Sequence, residues 1–200
     1  SLIIALDCGI KSIDHVAYAK DKNIDFIICD HHRPGEFLPE AVAVLDPKRD
    51  DCNYPYDELC GCGIGFKLIQ ALGENRNQTI EDLTPYLDLV ATAIAADIVP
   101  MTGENRVLAY FGLQVINADP RPGFKALITS SVRPSVSGHQ IKKKTLDITD
   151  VVFIIAPRIN AAGRIKHGNH AVELLTEFDF EQAQQFALEI EAYNSERKDL

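Results

Sequence analysis

Two hundred residues carry 20 Lys and Arg against 29 Asp and Glu, a net charge of −9, with 46% apolar and 24% charged side chains. That balance excludes a disordered chain and broad, charge-driven nucleic-acid binding, but not a site where metal ions bring the positive charge. No apolar run reaches the roughly 18 residues of a membrane span, and the opening stretch from Ser1 to Asp7 lacks the basic start and cleavage pattern of a signal peptide.

The first half of the chain alternates. Leu2–Leu6 is an unbroken apolar run ending in Asp7-Cys8-Gly9. Ser12 then opens a predicted helix to about Lys22, with Ile13, Val16, Ala17 and Lys20 at helical spacing. A second apolar run, Asp25–Cys29, ends in Asp30-His31-His32, and a third, Ala41–Leu45, ends in Asp46-Pro47. Continuous apolar strands joined by a helical crossover predict a parallel sheet buried on both faces, with an irregular link from Arg33 to Glu40. In an open α/β sheet, ligands gather beyond the carboxyl ends of the strands, so Asp7, Asp30, His31 and His32 are expected on one rim.

From Gly61 the pattern turns helical. Helices are expected over Gly63–Leu72, from Thr84-Pro85 through the nearly all-apolar stretch to Ala96, and over Gly103–Asn117 behind Thr102. Asp119–Lys144, with Pro120, Pro122 and Pro134, reads as looser chain, including a surface loop over Ser130–Gly138. Ile148–Ile155 reads as helical or buried, and Asp179 with Gln182 resembles a capping box opening a last helix. The fold class is therefore α/β: a Rossmann-like parallel sheet flanked by helices, a helix-rich second half, and a terminal helix with no stop signal.

Five cysteines are an odd count. Cys8 and Cys29 sit in apolar settings, and Cys52, Cys60 and Cys62 have poor spacing for structural zinc, so reduced thiols and a cytoplasmic setting are expected. Asp46 and Asp14 read as caps, and His15, His139, His167 and His170 as exposed or structural. Lys142-Lys143-Lys144 reads as a solvated face.

Three features could carry chemistry. Asp30-His31-His32 offers imidazole and carboxylate to a divalent cation, or is a loop with solvated histidines; Asp7 at a neighbouring strand end favours metal. Asp97 follows an apolar helix and either caps the next turn or meets a metal, since a buried unpaired carboxylate is costly. Arg158, Asn160 and Arg164 could form a fork for phosphate oxygens, or a salt-bridged surface turn.

Taken together, Leu6-Asp7-Cys8-Gly9, Asp30-His31-His32, Ala96-Asp97-Ile98-Val99-Pro100, Thr102-Gly103-Glu104-Asn105-Arg106 and Ala156-Pro157-Arg158-Ile159-Asn160-Ala161-Ala162-Gly163-Arg164 resemble the DHH phosphoesterase superfamily. The last two stretches resemble its single-strand-specific 5′→3′ exonucleases, which serve DNA repair and recombination in bacteria. The resemblance implies a two-metal Mn²⁺ or Mg²⁺ site for phosphodiester hydrolysis. It implies that Asp7 bridges the metals, that His31 and Asp97 bind one of them, that His32 faces the scissile phosphate and that Asp30 orients the histidine pair. It assigns Arg158, Asn160 and Arg164 to substrate phosphates, and single-stranded DNA as partner, with a single-strand-binding protein and a helicase as further partners.

The family's first motif, an Asp-x-Asp pair that supplies further ligands, does not occur in these residues. The expected organisation is thus a domain over 1–178 without its first strand and motif, followed over 179–200 by the start of an interdomain connector that Asn194 and Arg197 match. Such a segment, with an incomplete metal site, is expected to bind metal weakly and hydrolyse DNA poorly. The alternatives are a family member acting on short RNA or cyclic dinucleotides, and a non-catalytic replication scaffold.

Overall fold

The computed structural model describes residues 1–131, 145–165 and 168–198, and the fold divides into two units, 1–111 and 112–200.

The first unit is built on a three-stranded parallel sheet in the order β1 (Leu2–Leu6), β2 (Asp25–Cys29), β3 (Ala43–Leu45). Helix α1 (Ile13–Asp21) makes the crossover from β1 to β2, burying Val16 and Ala19; Ser12 precedes it without a side-chain capping bond. The link from Arg33 to Glu40 is irregular, as its sequence implies. Helix α2 (Gly61–Glu74) lies against β1 and β2, and its capping residue is Cys60, whose Sγ accepts from the Gly63 amide at 3.3 Å.

A short helix α3 (Ile80–Leu83) and a 3₁₀ turn over Thr84–Tyr86, with Pro85 at its start, lead into α4 (Leu87–Asp97). The proline therefore opens the tighter turn, and the α-helix proper begins one turn later. Helix α4 packs on α2 and buries Leu87, Val90, Ala91, Ile94 and Ala95, which explains its nearly all-apolar sequence. Helix α5 (Gly103–Ala118) spans the boundary between the units.

Burial on both sheet faces holds for the end of β2, where Ile28 and Cys29 are fully enclosed, but not for β1. Leu2, Ile3, Ile4 and Leu6 remain 41–53% exposed. The reason is position: β1 is an edge strand, hydrogen-bonded on one side to β2.

In the second unit, Pro122–Ser131 forms helix α6, which corrects the reading of this stretch as loose chain. Pro122 occupies the first turn, where its missing N–H costs nothing, so it starts the helix rather than breaking it. Phe124, Ala126 and Leu127 are fully buried. Residues 132–144, including most of the expected loop and the three lysines, lie outside the described residues, as does His167.

After α7 (Ile148–Asp150) come a π-helical turn over Val151–Ile155, then α8 (Ala156–Ile165), α9 (Asn169–Thr176) and α10 (Phe180–Lys198). Asp179 caps α10 by accepting from the Gln182 amide at 2.8 Å, but the reciprocal half of the box is absent. The Asp179 amide donates instead to Glu177 Oε1 at 2.9 Å. Helix α10 packs along α6, α8 and α9, burying Ala183, Ala187 and Ile190.

Gly123 lies flat against α9: a Cβ there would stand 2.2 Å from the Leu174 carbonyl oxygen, a backbone atom that cannot rotate away. Gly123→Ala is expected to cost about 1–3 kcal/mol through this overpacking, read as a lower urea midpoint with an unchanged slope. A wild-type midpoint would contradict the close helix contact.

Candidate metal centre

The parallel register sets the site. Leu6 pairs with Cys29 and Cys29 with Leu45, so the next residues, Asp7, Asp30 and Asp46, stand side by side at the carboxyl rim. Backbone bonds carry the pairing one step past the strands, from the Asp7 amide to the Cys29 carbonyl (2.8 Å) and from the Asp30 amide to the Leu45 carbonyl (3.0 Å).

Asp30 is 1% exposed and its carboxylate organises the rim. Oδ1 accepts from the His31 amide (2.8 Å), the His32 amide (3.2 Å) and His32 Nδ1 (2.7 Å), while Oδ2 accepts from the Ile10 amide (2.9 Å). Burial pushes the Asp30 pKa up, but the bonds from Ile10, His32 and His31 outweigh it and the net shift is downward. The same bond from Asp30 raises the pKa of His32, with desolvation opposing.

His31 projects its Nε2 between two carboxylates, 3.1 Å from Asp7 Oδ1 and 3.3 Å from Asp97 Oδ2. These distances are short, yet Nε2 has no hydrogen-bond partner, so neither oxygen lies along the ring N–H direction. Two carboxylates flanking an imidazole nitrogen off its axis is the arrangement of ligands around a shared cation. The alternative, a buried nitrogen facing two anions without a bond, is unfavourable. Asp7, His31 and His32 also each offer a donor atom within 4.8 Å of the others. The oxygen and imidazole donors suit manganese or magnesium.

Asp7 and Asp97 are both delivered by unusual backbone. Asp7 has φ 64°, and Ile98, immediately after Asp97, has φ 57° as the residue that ends α4. Ile98, a β-branched residue in the left-handed region, is strained, whereas aspartate tolerates that conformation; Asp7 is itself part of the site and Ile98 adjoins it. Asp7 packs against the first residue of α2: a Cβ on Gly61 would fall 2.2 Å from Asp7 Oδ1 and 2.7 Å from its Cα. Desolvation raises the Asp7 pKa; His31 opposes it, and Asp97 adds to it by like-charge repulsion.

The stretch following Asp97 is pinned by Asn105, which is fully buried. Its Nδ2 donates to the Glu58 carbonyl (2.6 Å) and the Pro100 carbonyl (3.0 Å). Tyr56 Oη also donates to Pro100 O (3.2 Å), and Tyr54 Oη to Glu104 (2.7 Å). The Thr102 hydroxyl lies 3.3 Å from Tyr56 Oη. Beside the histidines opens a cleft of about 680 Å³, whose walls include His31, His32, Arg33, Lys48, Asp50 and Glu58.

The structure thus brings together Asp7, Asp30, His31, His32 and Asp97, all from the first unit. Arg158, Asn160 and Arg164 lie on α8 in the second unit. Arg158 Nε pairs with Glu191 at 2.5 Å and its Nη1 donates to the Ile154 carbonyl at 2.6 Å; Asn160 is exposed. The side chains of Arg164, Asn194 and Arg197 lie outside the described residues. Gly61 and Asn105 position the site without having been singled out for it. The signals were a glycine at the first helical position and a buried Asn inside a helix start.

Raised and lowered pKa values give the His32–Asp30 pair a pH signature. A raised histidine contributes stability fully present below its unfolded pKa of about 6.5 and lost as pH climbs through its folded value. Asp30, lowered, contributes stability present above its unfolded value of about 3.9 and lost as pH falls through the folded one. The stability gap between wild type and His32→Ala is therefore expected to shrink as pH rises above about 6.5. Denaturant titrations from pH 6 to 9 check this; a flat gap contradicts the charged bond.

Comparison with known proteins agrees with the geometry. Residues 1–94 match the model of the DHH family, N-terminal domain. The chain is 40% identical over 199 residues to the single-stranded-DNA-specific exonuclease RecJ of Bacillus subtilis, covering 99% of this chain and 23% of that protein. It is 37% identical to RecJ of Escherichia coli, covering all of this chain and 35% of that one. The crystal structure of RecJ in complex with Mn²⁺ from Thermus thermophilus superposes with a TM-score of 0.83 at 30% identity, over 99% of this chain and 28% of that one. The chain therefore spans about a quarter to a third of the length of these relatives.

Proposed function

We propose, from the match of residues 1–94 to the DHH family model, that this chain forms the metal-holding part of a 5′→3′ exonuclease acting on single-stranded DNA by metal-dependent phosphodiester hydrolysis. The observation that carries this reading is His31 Nε2, buried and unbonded between the carboxylates of Asp7 and Asp97. RecJ relatives named as single-stranded-DNA-specific exonucleases, and a solved relative that holds Mn²⁺, support it.

In this reading Asp7 would be the carboxylate shared by the cations, and His31 and Asp97 would hold one of them. Manganese or magnesium, when bound, supplies an activated water and neutralises phosphoryl charge. The chain's own residues do the rest. Asp30 fixes the ring of His32 through Nδ1, which leaves Nε2 available to a phosphate oxygen at the mouth of the cleft. Gly61 keeps Asp7 in place by having no side chain. Arg158, Asn160 and Arg164 would serve substrate phosphates, and Arg158 must exchange Glu191 for DNA to do so. The apolar, exposed β1 supports a further strand beside it that carries the remaining ligands. Residues 1–178 then make up the domain, and α10 begins the connector to a second one.

Single-stranded substrate calls for a helicase to expose it and involves competition with a single-strand-binding protein. The same reading sets the protein in the bacterial cytoplasm, in DNA repair and recombination.

Two experiments test the proposal. Mn²⁺ at tenfold over its dissociation constant should stabilise the 200-residue chain by about 1.4 kcal/mol, a rise in melting temperature of roughly 3–6 °C. Asp7→Ala and Gly61→Ala should both abolish that rise, each judged against its own melting temperature in metal-free buffer. No selective rise in the wild type speaks against a metal centre. In the longest natural reading frame that contains these residues, Asp7→Ala should lower turnover on single-stranded DNA by about three decades or more, with much smaller change in DNA binding; wild-type turnover would end the proposal. The 200-residue chain itself should show little hydrolysis.

A further inference from the structure

Besides His31 Nε2 and Asn105 Oδ1, two further buried polar atoms have no hydrogen-bond partner: Nδ1 of His31 and Oδ2 of Asp46. His31 is 7% exposed and Asp46 3%. An unpaired buried donor or acceptor costs about 1–3 kcal/mol, and more when charged. Asp46 follows β3 as Asp30 follows β2, and Cys29 pairs in register with Leu45. The Asp46 carboxylate therefore stands at the rim beside Asp30 and His31. Its orientation is set: Oδ1 accepts from the Lys48 amide at 2.8 Å, leaving Oδ2 to face inward. Desolvation raises the Asp46 pKa and the bond from the Lys48 amide opposes it, with smaller contributions from the charges of Asp30, Lys48 and His31, which lie within electrostatic reach.

We propose that Asp46 is the positioning residue of His31, its Oδ2 coupled to the Nδ1 proton through one bridging water. A neutral imidazole that donates from Nδ1 must present the Nε2 lone pair, so Asp46 fixes the tautomer that faces Asp7 and Asp97. The backbone amide of His31 is already held by Asp30. Rotation and tautomer of the ring are what remain, and Asp46 sets both. This extends the metal-centre reading and rests on it for its purpose, though not for its geometry.

The test uses the 200-residue chain. In the metal-free wild type at pH 8, nitrogen-15 NMR of the neutral His31 ring should show the proton on Nδ1. Asp46→Ala should move it to Nε2 or leave a mixture; Asp46→Asn, which keeps an acceptor oxygen, should retain Nδ1–H. Mn²⁺ affinity should fall about 10–100-fold in Asp46→Ala and stay near wild type in Asp46→Asn, a rescue that lost packing alone would not produce. An Nε2–H tautomer in the wild type overturns the proposal, and this measurement decides it even if Asp46→Ala does not fold. An unchanged tautomer in a folded Asp46→Ala overturns it equally. If the tautomer moves as stated while wild type binds no Mn²⁺, the role of Asp46 stands and the metal reading falls.

Discussion

The architecture of the rim depends on one buried carboxylate. Asp30 gathers three backbone amides and one imidazole on its two oxygens, and these donors come from the exits of two neighbouring strands. Ile10 belongs to the loop that follows β1, and His31 and His32 to the loop that follows β2. A single side chain thus locks two strand exits together. Hydrogen bonds to an ionised acceptor are worth about 1.5–3 kcal/mol each, enough for four of them to offset the desolvation of a carboxylate that is almost wholly enclosed. With Asp30 so fully engaged, it is a poor metal ligand and a good frame for the groups on either side.

Around that frame, the chain concentrates negative charge. Asp7, Asp97, Asp30 and Asp46 all approach His31 or one another, in a protein that is already acidic. Such crowding is unfavourable unless something cationic is shared. Part of the relief is local: Asp7 lies against the first turn of α2, where the helix's amide ends carry partial positive charge. The absence of a Cβ on Gly61 is what allows that approach. The backbone contributes as well, since Asp7 holds a left-handed conformation, which aspartate accepts more readily than most side chains.

Much of this was legible in the residues. Apolar runs ending in Asp, with a helix-patterned stretch between the first two, specify parallel strands whose carboxylates share an edge. The residues alone left Asp97 open between a cap and a ligand, and only the family resemblance implied that it joins Asp7 and His31. What was not legible was decided by tertiary context. Pro122 opens a helix because Phe124 and Leu127 have a core to enter, which local proline content cannot reveal. Asp46 does cap a turn through Lys48, as its position suggests, but its second oxygen is buried without a partner at a rim that only the β2–β3 register assembles. Gly61 looks like an ordinary small residue at a helix start until Asp7 is set against it. Arg158 is engaged by Glu191, 33 residues away, so its Nε is committed within the second unit.

Ile98 carries a cost that packing does not return: its side chain is 88% exposed while its backbone is left-handed. Glycine or asparagine would occupy that conformation more comfortably, so selection for thermostability alone would replace it. A stiff, branched residue there narrows the range of angles through which the preceding carboxylate can swing. Directed evolution of this scaffold for heat resistance would then trade melting temperature against the aim of Asp97, and position 98 is where that conflict would first surface.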